Sequence, residues 1–82
     1  MEQNAFDVVV KEIAGAMGIS ADTLRPETKL TEIGMDSLEA LQFLLVLEDA
    51  TGIQLDEKDL KRFTTVQSIV DLINERAMNA AA

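Results

Sequence analysis

Fifteen carboxylates and seven Lys or Arg side chains supply the charged chemistry of this 82-residue chain, which has no histidine and no cysteine. Without His there is no ordinary general base near neutral pH. Without Cys there is no thiolate nucleophile, disulfide or zinc thiolate site. The hydroxyl that stands out is Ser37, directly after Asp36 and close behind Gly34. A seryl oxygen with no base to activate it reads better as a site modified by another enzyme than as a nucleophile acting for itself. Asp36 is the expected cap of a helix, accepting from an amide near Glu39 while Glu39 reaches back to complete a reciprocal box. A phosphate ester on Ser37 would then sit beside unpaired amides and the positive end of the helix dipole. On local chemistry alone, Ser37 fits an ordinary first-turn residue as well. The acids Asp56, Glu57 and Asp59 lack the alternating oxygen ligands and central glycine of a calcium loop, and no metal site is expected.

The elements that must position Ser37 follow from periodicity. Phe6, Val9, Val10, Ile13, Ala14 and Met17 recur at helical spacing between Gln3 and Met17, and Gly18 supplies a stop. The stretch from Ile19 to Met35 carries Ser20, Asp22, Thr23, Pro26, Thr28, Thr31 and Gly34, the composition of a long loop. Ile19, Leu24, Leu30 and Ile33 are its candidate anchors. A second helix opens after Asp36 and runs to about Thr51, with Gly52 as its stop. Asp56 caps a short third helix that turns Leu60 and Phe63 inward and places Lys61 and Arg62 near its C-terminal end. Thr64 or Thr65 caps a fourth, with Val66, Ile69, Val70 and Ile73 inward. The ordered core is expected from about residue 3 to residue 76, with a frayed alanine-rich tail. The predicted fold is all-α: a single domain over residues 1–82, a small four-helix bundle of three longer helices and one short third helix, with a long loop between helices one and two.

At about 100° per residue, Ala40, Phe43, Leu44, Leu47 and Ala50 share one arc of the second helix, the expected core face. Leu38, Leu41 and Leu45 fall on another, bordered by Ser37, Gln42, Glu48 and Asp49. A monomer's helix needs one apolar stripe, so the second predicts a docking surface on which leucines supply contact and carboxylates orient a basic partner. Covering of those leucines by the loop or the third helix is the competing expectation.

Composition sets the class. Apolar residues make up 48% and charged residues 27%, which is globular rather than disordered. The formal charge of −8 opposes binding to nucleic acid or an anionic membrane. Seven acids and no base lie between Leu30 and Glu57, whereas the other eight acids are balanced by seven bases. The longest apolar run, Phe43 to Leu47, is far too short to span a membrane, and the first residues do not form a basic-then-apolar leader. A soluble, cytoplasmic, monomeric protein that keeps its first residues is expected.

The segment Gly34-Met35-Asp36-Ser37-Leu38-Glu39 resembles the Asp-Ser-Leu attachment motif of acyl carrier proteins, small acidic helical domains that carry a 4′-phosphopantetheine arm. Phe63-Thr64-Thr65-Val66-Gln67-Ser68 resembles the start of the last helix in that family, and the likeness extends from about Phe6 to Arg76. The resemblance implies that a phosphopantetheinyl transferase uses coenzyme A and Mg²⁺ to place a covalent 4′-phosphopantetheine on Ser37, with Asp36 assisting transferase and metal recognition. The arm's thiol would hold acyl groups as thioesters for partner enzymes of fatty-acid, polyketide or specialised lipid biosynthesis, which would bear basic docking surfaces. The chain would need no cysteine, since its working sulfur arrives with the arm. By the same resemblance, Leu38, Glu39, Leu41, Leu45, Glu48 and Asp49 face partners, and Phe43, Leu47, Leu55, Leu60, Phe63 and Ile69 shelter part of the acyl chain.

The sequence departs from the housekeeping fatty-acid pattern at Gln42 and Ala50, where acids are common, and in the basic residues Lys58, Lys61 and Arg62 of the third helix. These departures suggest a dedicated carrier for a specialised acyl, polyketide-like or lipid-modifying pathway. Two other functions use the same features: a carrier of aminoacyl or peptidyl groups, and a helical adaptor with no prosthetic group. A hydrolase reading of Gly34, Asp36, Ser37 and Leu38 fails on the intervening Met35 and the missing His.

Overall fold

The computed structural model describes residues 4–81, with side chains described to residue 77. Three α-helices carry the architecture: α1 (Ala5–Met17), α2 (Ser37–Thr51) and α3 (Val66–Ala81). α1 packs against both of the others, and a short 3₁₀-helix, Glu57–Arg62, bridges α2 and α3. The four-helix reading therefore holds, with the third helix wound as 3₁₀ rather than α. The apolar spacing expected of the fourth helix is matched in α3, where Val66, Ile69, Val70 and Ile73 are all buried, together with Leu72.

The chain writes its own helix boundaries. Asn4 accepts from the Asp7 amide at 2.8 Å and caps α1, whose first residue is Ala5; the start expected at Gln3 lies outside the described residues. Gly18 and Gly52 close α1 and α2 in the left-handed region at φ 67° and 72°, each amide returning to a carbonyl of the last turn. Thr65 caps α3, its hydroxyl accepting from the Ser68 amide at 3.1 Å while Ser68 Oγ accepts from the Thr65 amide at 3.0 Å. α3 continues to Ala81, beyond the limit expected at Arg76; the side chains of the alanine-rich tail lie outside the described residues.

The long loop is built, not loose. It contains two 3₁₀ turns, Ala21–Thr23 and Leu30–Ile33, and buries Leu24 and Leu30 in the core, with Ile19 and Ile33 packed against its edge. Its backbone also meets the start of α3. Leu30 donates to the Thr64 carbonyl at 2.9 Å, Val66 to Thr28 at 3.0 Å and Gln67 to Pro26 at 2.8 Å. The last two are amides that the first turn of a helix cannot pair internally, so the loop caps α3 with its own carbonyls. Met35, which the sequence reading did not count as an anchor, is buried at the end of this loop.

Two polar ties hold the other side. Asp59 is the one buried charged residue among those described, and its Oδ1 accepts from Arg76 Nη2 of α3 while its Oδ2 accepts from the Asp56 amide at 2.9 Å. Glu48, near the end of α2, accepts from the Leu55 amide at 2.9 Å and so fixes the turn that carries Leu55 into the core. On the surface Arg62 forms a two-point pair with Glu75, and the hydrogen bonds from this guanidinium hold the Glu75 carboxyl below the usual range. Loss of Arg76 would strand the Asp59 carboxylate. Arg76→Ala is therefore expected to cost about 1–3 kcal/mol, read as a lower urea midpoint at unchanged slope. Glu48→Ala should lose about 1–2 kcal/mol in the same assay, and Glu48→Gln, which keeps an acceptor, should lose clearly less.

Candidate functional site at the start of α2

Ser37 is the first residue of α2, and it is exposed. The cap comes from its neighbour: Asp36 Oδ1 accepts from the Glu39 amide at 3.0 Å. Only this half of the expected box forms, since Glu39 returns no hydrogen bond to Asp36. The reciprocal arrangement instead opens the 3₁₀-helix, where Asp56 accepts from the Lys58 amide and Asp59 reaches back to the Asp56 amide. Asp36 thus keeps Oδ2 without a partner among the described residues, and the Ser37 hydroxyl is likewise unengaged. Gly34, in the left-handed region at φ 86°, closes the Leu30–Ile33 turn just before the buried Met35 anchor, after which the chain emerges at this exposed pair.

Beside Ser37 lies a cavity of about 230 Å³ lined by Thr31, Met35, Asp36, Ser37, Ala40, Leu60 and Phe63. Of the six residues expected to shelter an acyl chain, Leu60 and Phe63 border this space. Phe43, Leu47, Leu55 and Ile69 lie in the packed core, with Phe43 and Phe63 meeting edge to face at 6.2 Å between ring centroids. An exposed hydroxyl next to a partly apolar hollow fits a flexible covalent arm: the oxygen is reachable, and nothing buried has to be displaced to attach it. Among the described residues, no group of three or more acids is arranged to hold a metal ion.

The outer face of α2 keeps its second apolar stripe uncovered. Leu38 is 65% exposed and Leu45 is 59% exposed, while Leu41 is half-buried. The expectation that the loop or third helix covers these leucines is thereby excluded for Leu38 and Leu45. Asp49 is exposed, and Glu39 and Glu48 are half-buried, the latter with one oxygen committed to the Leu55 amide. On the core face Phe43, Leu44 and Leu47 are buried and Ala40 is half-buried. Ala50 departs from the reading and is exposed. It meets Ala5 and Ala77 around an open hollow of about 370 Å³, because three methyl groups from three helices are too small to close the gap. Val46, which no sequence argument singled out, is 41% exposed on the α1 side of the helix. Its only signal was the unbroken Phe43 to Leu47 run, too apolar for one face to absorb.

Of the three bases that mark the third helix, Arg62 is tied to Glu75, whereas Lys58 and Lys61 are exposed and form no salt bridge among the described residues. A period of three explains the sorting: Asp59 and Arg62 face α3, Leu60 and Phe63 face the core, and Lys58 and Lys61 face solvent.

The family model described as "Phosphopantetheine attachment site" matches residues 7–73, spanning most of α1, the loop, Ser37 with the rest of α2, and the first half of α3. The chain is also similar to curated acyl carrier proteins. Those of Chlorobium phaeobacteroides, Chlorobium phaeovibrioides and Chlorobium luteolum are each 28% identical over 74 residues, covering 89% of this chain and 90% of the relative. The chain belongs to the phosphopantetheine-attachment family, the non-catalytic carriers that bear a covalently attached 4′-phosphopantetheine arm.

Proposed function

We propose that this chain is an acyl carrier protein whose arm is attached to Ser37. It holds acyl groups as thioesters on the arm's terminal thiol and presents them to the enzymes of a specialised acyl, polyketide-like or lipid-modifying pathway. The observation that carries this reading is the exposed, unengaged Ser37 hydroxyl in the first turn of a helix capped by the preceding residue, beside a hollow. Asp36 serves transferase and metal recognition through Oδ2, since Oδ1 is used in capping. A single carboxylate oxygen is the protein ligand that Mg²⁺ commonly takes when phosphates supply the rest. Coenzyme A, the source of the arm, and the transferase belong to the cytoplasm, which is where the chain is placed in this reading.

Partner enzymes meet Leu38, Glu39, Leu41, Leu45, Glu48 and Asp49. The exposed leucines supply buried apolar area, and the acids steer a basic surface into register. Within the acyl-sheltering set, Leu60 and Phe63 are the first side chains a cargo would touch, and entry past them requires Phe43, Leu47, Leu55 and Ile69 to move apart. Specialisation rests on surface charge: Gln42 and Ala50 are exposed and neutral where acids are common in housekeeping carriers, and Lys58 and Lys61 add positive charge near the hollow. A partner matched to a uniformly acidic carrier meets the wrong field here.

Incubation with coenzyme A, Mg²⁺ and a broad-specificity transferase should add the mass of one phosphopantetheinyl group, seen by intact-protein mass spectrometry. Ser37→Ala should stay unmodified while keeping its helical circular dichroism. The loaded protein should also support elongation by housekeeping fatty-acid enzymes at a rate at least tenfold below that of a housekeeping carrier, about 1.4 kcal/mol in transition-state terms. Equal turnover would remove the case for a dedicated pathway.

A further inference from the structure

Three of the six side chains in the proposed acyl-sheltering set, Leu55, Leu60 and Phe63, lie on one short stretch of chain, and a single guanidinium from α3 fastens that stretch. We propose that Arg76 is a positioning residue for the acyl-sheltering space: it fixes the wall formed by Leu55, Leu60 and Phe63, against which an acyl cargo packs. The proposal rests on the carrier reading, with Ser37 bearing the arm and this set sheltering the cargo.

The backbone around Leu55 is held at two consecutive peptide units. The unit between Gln54 and Leu55 has one carbonyl and one amide, and both are engaged. The Gln54 carbonyl accepts from Arg76 Nη1 of α3 at 3.3 Å, and the Leu55 amide donates to Glu48 Oε2 of α2 at 2.9 Å. The next amide, that of Asp56, donates to Asp59 Oδ2 at 2.9 Å, and the other oxygen of Asp59 accepts from Arg76 Nη2. Arg76 thus reaches the segment twice, directly at Gln54 and through Asp59. A planar guanidinium carries its donors in a fixed fork and so holds two acceptors in one relative position, which an ammonium does not. What is fixed is backbone; the Leu55 side chain can still turn aside for a cargo about its anchored Cα.

The tie through Asp59 sets the rest of the wall. Asp59 belongs to the 3₁₀-helix Glu57–Arg62, whose period of three turns Asp59 and Arg62 to α3 and Leu60 and Phe63 to the core. Leu60 directly follows Asp59, so anchoring the carboxylate sets the direction from which Leu60 projects, and Phe63 lies one turn further on. Both border the hollow beside Ser37. The neighbouring pair, Arg62 with Glu75, has side chains 38% and 56% exposed, and exposed ion pairs fix little.

Asp59 is buried, and that burial needs a reason. A carboxylate taken out of water against a guanidinium carries a desolvation cost that an apolar pair of similar size avoids, so stability alone explains the Asp59–Arg76 pair poorly. Directional hydrogen bonds add what apolar contact lacks, one defined geometry. In a wall that a flexible guest must meet, that geometry determines how much of the guest is covered.

The test uses the full chain loaded at Ser37 from octanoyl- or acetyl-coenzyme A by a broad-specificity transferase, with loading checked by intact mass. The two cargoes carry the same charge and differ in apolar length. Octanoyl-loaded protein should melt at least about 4 °C above acetyl-loaded protein, because the longer chain buries more apolar area. Arg76→Ala should cut that increment to less than half. Arg76→Lys, which keeps the charge but not the fork, should also shrink it, and decides the matter if the alanine variant does not fold. Val9→Ala, at a fully buried position of α1, should lower both melting temperatures and keep the increment, which separates loss of position from loss of stability. An undiminished increment in the Arg76 variants, or an equal loss in Val9→Ala, would overturn the positioning role and leave the carrier and its sheltering set standing. Equal melting of the two loaded wild-type forms would overturn the sheltering set and this role together, with attachment at Ser37 untouched. Failure to load at Ser37 removes the carrier reading and this role with it.

Discussion

The position of Ser37 depends on an exchange of backbone hydrogen bonds between two irregular segments. The long loop gives carbonyls of Pro26 and Thr28 to the first amides of α3, and Leu30 donates in return to Thr64. Leu24 and Leu30 are buried under the same stretch. Breaking this exchange would orphan donors on α3 and expose two leucines together, so the loop is bound to the bundle at several points at once. The chain can then turn at Gly34, leave the core after Met35 and start α2 with its hydroxyl outward. A surface residue gains a fixed address because the segment before it is anchored.

The same economy governs the acids. Seven carboxylates and no base lie between Leu30 and Glu57, and read as charge alone they form one repulsive block. In the fold several of them also pair with backbone. Glu32 accepts from the Lys29 amide, Asp36 from Glu39, Glu48 from Leu55 and Asp56 from Lys58. Each is a carboxylate set against amides that a helix start or turn leaves unpaired, which offsets part of the mutual repulsion. In the proposed docking role Glu48 would have both tasks, since the oxygen not bonded to Leu55 is left for a basic partner. The proposed docking role and fold stability would then not be separable at that residue.

Much of this was legible in the sequence for a local reason. Helix ends are set by neighbours: Asp36 before the first turn of α2, and glycine after the last turns of α1 and α2, place those boundaries within a residue or two. The buried stripes of α1 and α3 follow from spacing, and the attachment motif lies within six consecutive residues. What was not legible depended on distance or on comparison between equals. Asp36 with Glu39 and Asp56 with Asp59 have the same spacing, yet only the second pair closes its box, and no local signal chooses between them. Asp59 finds Arg76 seventeen residues later. Ala50 sits at a core angle but is exposed because Ala5 and Ala77 are equally small, a fact about three helices rather than one. The 3₁₀ winding of the third helix likewise follows from the need to turn Asp59 to α3 and Phe63 to the core within one short segment.

Exposed Leu38, Leu45 and Val46 on one helix of a small protein pose a problem of their own, because uncovered apolar side chains drive association with any complementary surface, a second copy included. The chain's charge biases that choice. Asp49 and Glu48 border the leucines, and the whole molecule carries −8, so two copies approaching through this face bring like charges together in the region where water must be expelled. A basic surface meets the opposite field and the same apolar contact. On the proposed docking face the leucines would thus supply affinity that is indifferent to partner, and the carboxylates, by repelling most candidates, would decide which partner receives it.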